Sequence, residues 1–206
     1  MARFTRLSAA DRRTQLMDVA LAGLAKGGIQ EFTVDRICAA AGVSRGLILH
    51  HFGSMGGLLA AVYARLYRET TPDLTALPPE ARIEALITGI FAPRAFNRDR
   101  LNAWVALWGQ IANTPALRDE HRRQYKTYLA QVSAAIAAVA DAETDACALA
   151  KSLICLIDGL CLQHCLDPAA MPADAAKTAC RAFLAPHLGP HLGPNLSPNL
   201  CQSTPI

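Results

Sequence analysis

Apolar residues recur at three- and four-residue intervals through most of this chain, and no run alternates apolar with polar positions between turn signals. That periodicity predicts helices and leaves no place for strands. The first helix is expected from Ser8 to about Lys26, with Leu16, Val19, Ala20, Gly23 and Leu24 on one face and Gly27-Gly28 ending it. Residues 33–50 break into two shorter helices. The first starts at Thr33, a favourable N-cap, and carries Val34, Ile37, Cys38 and Ala41 on one side. Gly42 ends it, because a left-handed backbone costs little only without a Cβ. Val43 fills the corner, and Ser44 reads as the cap of a helix over Arg45–His50. Further helices are expected at about 55–71, closed by Pro72, and at 79–92, 96–113, 115–140, 143–166 and 172–185.

The predicted chain is therefore all-α. A three-helix module occupies residues 1–54, with a helix-turn-helix as its second and third helices, and a larger helical bundle occupies 55–185. A short second helix behind a glycine-containing turn is the unit that sets a helix in the DNA major groove. Residues 1–7, with Arg3 and Arg6, read as a basic arm. From 186 to 206 the chain repeats PHLG twice and continues PNLS, PNLC. Proline at every fourth position opposes helix and the apolar mass is small, so this tail is expected to be disordered.

The run Thr33-Val34-x-x-Ile37, Ala41-Gly42-Val43-Ser44-x-Gly46, His50-His51-Phe52-x-Ser54 and Leu58-Leu59 resembles the TetR family of bacterial transcriptional repressors. The turn alone is a weak signal; Gly46, the His-His-Phe block and the Leu pair make the combination specific. The resemblance implies a double-stranded DNA operator and a small-molecule inducer as partners, and a homodimer. Arg45 is the only permanently charged side chain of the second helix, and it suits guanine O6/N7 or a phosphate. Leu47 or Leu49 would meet a thymine methyl, while Ile48 and Phe52 pack inward. His50 and His51 match phosphate- and base-facing positions of the family. Thr33 and Ser44, as N-caps, would present backbone N–H groups to phosphates. Two positions depart from the family pattern: Leu49 stands where tyrosine is usual, and Met55 where lysine is usual. Both replaced residues commonly contact phosphate, so non-specific affinity and its salt dependence should be weaker.

Composition narrows the alternatives. Hydrophobic residues make up 52% and charged residues 18% of 206, so much of the chain must be core or interface. No apolar run reaches the ~18 uncharged residues of a membrane helix, and no secretory signal is visible. A cytoplasmic protein without membrane contact is expected. Residues 1–54 hold seven Lys and Arg against four acids, which accounts for the whole net charge of +3. The positive excess coincides with the proposed DNA reader. Of seven cysteines, Cys38, Cys147, Cys155, Cys161 and Cys180 sit among Ala and Leu and are expected as buried hydrophobes. Cys161, His164 and Cys165 share helical spacing, but a structural zinc site wants a fourth ligand, and no metal or cofactor is expected. No nucleophile elbow, phosphate loop or zinc signature points to an enzyme.

The predicted helix over 143–166 carries Ala146, Leu149, Leu153, Leu156, Ile157 and Leu160, more apolar surface than one buried stripe requires. A four-helix contact across a two-fold axis with the helix over 172–185 would cover it. Within the family, Ala103-Trp104-Val105-Ala106-Leu107-Trp108 and Leu156-Ile157-Asp158-Gly159-Leu160 resemble the choline-responsive, BetI-type branch. Trp104 and Trp108 lie four apart and project from one helix face, and paired aromatic faces attract a cation that lacks hydrogen-bond donors. Phe96 and Tyr125 are candidate further walls, as are Tyr63, Tyr67, Phe91 and Tyr128, and Asp158 is a candidate counter-charge. Filling of the core by both tryptophans, a different hydrophobic or drug-like inducer, and an interaction module that has lost DNA affinity remain open.

Overall fold

The computed structural model describes residues 8–188, so the basic arm and the repeats beyond Leu188 lie outside the described residues. Among these residues the regular elements are helical. They are α1 Ala9–Gly27, α2 Val34–Ala41, α3 Gly46–Phe52, α4 Met55–Thr70, α5 Pro79–Ile90, α6 Arg98–Ile111, α7 Pro115–Ala137, α8 Ala146–Leu166 and α9 Ala173–Leu188. Every expected helix is present within a few residues of its expected bounds. A short 3-10 turn, Gly28–Glu31, was not anticipated.

The chain separates into two compact units. Among the described residues the first comprises 8–72 together with Ala92–Tyr128, and the second comprises Asp73–Phe91 and 129–188. In this grouping α4, α6 and the first part of α7 pack with the three N-terminal helices. Leu16 and Leu24 of α1, Ile37 of α2, Ile48 of α3, Leu58 and Leu66 of α4, Leu107 of α6 and Leu117 of α7 share one buried cluster. Ser8 caps α1 by accepting from the Asp11 amide, and Asn97 does the same for α6 through the Arg100 amide.

In the second unit α9 packs against α8 and α5. Leu86 and Ile87 of α5, Leu153 and Ile157 of α8, and Cys180 and Leu184 of α9 are buried. Arg181 Nε of α9 donates to Glu84 Oε2 of α5 at 3.1 Å. By length and composition α8 is apolar enough to cross a membrane, which counting uncharged residues missed. Here its Leu149, Leu153, Ile157 and Leu160 are buried in the unit instead. Two expectations need correction. Cys147 and Cys155 are exposed, because they lie off the α8 stripe formed by those four residues. The tail does not begin at 186: Pro186 lies inside the last turns of α9, where the helix continues to Leu188 and buries that side chain.

Candidate DNA-reading surface and aromatic box

The turn between α2 and α3 is built as its sequence requires. Thr33 Oγ1 accepts from the Arg36 amide at 3.4 Å, and Gly42 takes the left-handed conformation, φ 63° and ψ 40°. The Val43 amide then donates to the Cys38 carbonyl, closing the helix end. Ser44 does not cap α3 with its side chain. Arg45 is already helical, φ −55° and ψ −35°, so the chain enters the helix one residue late for the Ser44 hydroxyl, which leaves only its carbonyl to accept from the Leu47 amide.

Along α3 the residues separate by face. Ile48 is buried in the core, whereas Leu49 is 62% exposed. His50 is exposed, and Leu47 and His51 are half-buried. Arg45 is exposed and its Nη2 lies 2.5 Å from Asp35 Oδ1 of α2, so a DNA phosphate or guanine would have to draw it from that partner. His51 is held below the ordinary histidine pKa by desolvation, and then by neighbouring His50, Arg13 and Arg12. Arg13 of α1 braces the far end of α3: its Nη1 donates to the His51 carbonyl at 2.6 Å, and its guanidinium sits 4.3 Å from the Phe52 ring centroid. Phe52 is packed partly against the core, as expected of an inward residue.

The second feature of the first unit is a box of aromatic rings from three helices. Each helix supplies side chains three or four residues apart, so they stand on one face. Trp104 and Trp108 of α6 are stacked, with centroids 5.8 Å apart and planes at 29°. Tyr63 and Tyr67 of α4 stand nearly perpendicular to Trp104, with centroids at 5.2 and 6.1 Å. From α7, Tyr128 meets Tyr67 edge-on at 6.0 Å, and His121 meets Tyr63 at 6.0 Å and Tyr125 at 5.8 Å. The Tyr63 hydroxyl and His121 Nδ1 share a hydrogen bond of 2.9 Å, and the Tyr67 hydroxyl donates to the Gln124 carbonyl. Burial lowers the His121 pKa, which keeps the ring neutral at neutral pH. Both tryptophans are half-buried. The arrangement can offer electron-rich faces to a cation, and His121 adds no positive charge of its own.

Residues 16–62 match the N-terminal domain of the bacterial regulatory proteins of the TetR family, and residues 79–189 match the C-terminal domain of BetI-type transcriptional repressors. The chain belongs to the TetR family. An HTH-type transcriptional regulator BetI of Serratia proteamaculans is 32% identical over 170 residues, spanning 77% of this chain and 83% of that one. A solved transcriptional regulator from Pseudomonas aeruginosa PAO1 is 31% identical and superposes with a TM-score of 0.78, covering 90% of this chain and 94% of that one. A regulator from Saccharomonospora viridis, solved in complex with choline, shares the fold at 21% identity and a TM-score of 0.72, covering 85% of this chain and 96% of that one. This TetR-family chain is thus a DNA-binding transcriptional regulator of BetI type and not an enzyme.

For this regulator the structure brings together three of the five residues expected to meet a ligand: Trp104, Trp108 and Tyr125. Phe96 is buried in the turn ahead of α6, and Asp158 belongs to the second unit. Asp158 keeps exposed surface on α8, yet burial of its surroundings pushes its carboxyl up to about 6; the remaining water contact works against that shift. His121 was missed by sequence reading. Its signal was the spacing His121, Tyr125, Tyr128, an aromatic ridge at intervals of four and three on α7.

Proposed function

We propose that this regulator is a dimeric repressor whose operator is released when a small quaternary-ammonium cation of the choline class enters the aromatic box. The observation carrying this reading is the stacked Trp104–Trp108 pair, flanked by Tyr63 and Tyr67, with His121 held neutral beside them. Choline bound to the Saccharomonospora viridis relative is consistent with it. Residues 1–54 act as the reader, with Arg45, Leu47, Leu49, His50 and His51 facing the groove and Thr33 and Ser44 near phosphates. Residues 55–185 hold ligand and partner. The protein works in the cytoplasm, where its operator is.

Dimerisation is assigned to α8. Ala148, Ser152, Cys155, Gly159, Leu162 and Leu166 follow one another at intervals of four and three, the spacing of a helix–helix seam, and all six are exposed in the single chain. Leu162 and Leu166 are 38% and 70% exposed, although both are large and apolar. A two-fold contact there would place two α3 helices for adjacent half-sites of a palindrome. Release then requires that ligand favour a dimer geometry that no longer matches this spacing; equal affinity for both geometries would release nothing.

Fluorescence anisotropy on DNA from the intergenic region beside its own gene tests the reading. Binding should be selective and salt-dependent, and choline should weaken it while changing tryptophan fluorescence. Operator release by an uncharged drug-like compound, with choline inert in both readouts, would reject the cation.

A further inference from the structure

A chain of alternating charges runs through the first unit beside the aromatic box. Arg100 Nη1 of α6 lies 2.7 Å from Glu69 Oε2 of α4. Glu69 Oε1 accepts from Arg65 Nε at 2.7 Å, and Arg65 Nη1 lies 2.5 Å from Asp18 Oδ1 of α1. Arg65, Glu69 and Arg100 are partly buried, so these pairs are less screened than surface ion pairs. Desolvation raises the Glu69 pKa, but its bonds to Arg65 and Arg100 outweigh that effect and hold the carboxyl below its ordinary value.

The geometry ties this chain to both functional surfaces. On α6, Arg100, Trp104 and Trp108 stand four apart on one face of the helix. On α4, Tyr63 and Tyr67 belong to the box, while Arg65 and Glu69, two positions on, stand on the opposite face of the same helix, so only movement of α4 itself links them. On α1, Asp18 is followed back along the same helix to Arg13, which holds the end of α3 through the His51 carbonyl and the Phe52 ring. Glu69 is the carboxylate shared between the α6 and α4 guanidiniums, one oxygen for each.

We propose that Glu69 is a positioning residue, the joint of an Arg100–Glu69–Arg65–Asp18 relay through which the state of the aromatic box sets the placement of the reading helix. The inference rests on the box being the inducer site. Movement of the α6 ridge draws on Glu69, Arg65 follows, and α1 shifts with the α3 end it braces. A second tie between the same elements, Asn102 Nδ2 donating to the Ala25 carbonyl at 3.2 Å, leaves some coupling when the relay is cut.

A double-mutant cycle on operator affinity tests this without needing the ligand. Trp104→Ala, Glu69→Gln and the double variant are compared with the unaltered protein by anisotropy, with thermal melts to confirm that all four fold. Trp104→Ala should shift the operator Kd roughly five-fold or more alone, and less than about two-fold in the Glu69→Gln background. A merely structural role for Glu69 would lower the melting temperature and leave the Trp104→Ala shift intact. Equal shifts in both backgrounds overturn the relay, as does no shift in either. If Glu69→Gln fails to fold, Arg100→Gln cuts the same relay at α6 and must give the same loss of coupling. A choline titration of Trp fluorescence separates the two ideas: binding without coupling sinks the relay alone, and coupling without binding sinks the inducer reading alone.

Discussion

At the scale of residues, the proposed DNA recognition rests on a few exposed side chains around α3. Arg45 is paired with Asp35, but both are exposed, and such pairs contribute ~0–1 kcal/mol, so the pair does not hold Arg45 against an operator. Arg45→Ala should weaken specific binding by about 1–3 kcal/mol, read as operator Kd at fixed salt. Met55, at the start of α4, packs its chain partly against the core and offers no charge at the position where the family resemblance leads one to expect a lysine. Met55→Lys should therefore steepen the slope of log K against log salt by about 0.9, one further phosphate contact, and raise affinity for unrelated DNA as well. Leu49 shows how far sequence reaches. Its place on a recognition helix was legible from spacing, and its 62% exposure distinguishes it from buried Ile48 next to it. The Arg45–Asp35 pair was not legible, because it joins two helices whose mutual angle the sequence does not display.

At the scale of elements, every α-helix of the described residues could be read from period and punctuation, and the departures have local causes. Ser44 looked like an N-cap because serine before an apolar run usually is one; the helical conformation of Arg45 moves the helix entry past it. Pro186 looked like a helix stop, yet a proline can occupy a final turn when the core still rewards burial beyond it, here of Leu188. On α8 the buried and exposed apolar stripes are both too apolar for the periodicity to say which faces the unit. That is why Cys155 was assigned to the core although it stands on the exposed seam. Leu162→Glu places a charge in this seam. The expected result is a monomer by sedimentation or light scattering, with operator affinity reduced on the order of 100-fold, since two linked half-site contacts become one.

At the scale of the whole molecule, the Trp104–Trp108 ridge of α6 was visible as spacing, and its convergence with the α4 and α7 ridges on one box was not. Convergence depends on helix packing, and sequence alone left Tyr63, Tyr67 and Tyr128 as options and His121 unnoticed. Stability should also carry a mark of Asp158. Desolvation pushes its carboxyl up to about 6, so the folded chain binds that proton more tightly than the unfolded chain, by a margin that the exposed surface of Asp158 makes small. The stabilisation is complete below pH ~4 and is lost as pH rises through about 6. Melting temperatures of Asp158→Asn and the parent should agree near pH 4 and diverge toward pH 7, the variant being higher. The contacts at the end of α3 bear on how such regulators diversify. Arg13, 38 positions upstream, holds the His51 carbonyl, and a Cβ at Gly57 would come 2.1 Å from the Phe52 carbonyl. The reading helix is therefore no portable cassette. Grafting residues 44–52 onto a related scaffold would carry the letters of the operator code but leave behind its holder, so a change of target site must be inherited together with an arginine in the first helix and a glycine in the fourth.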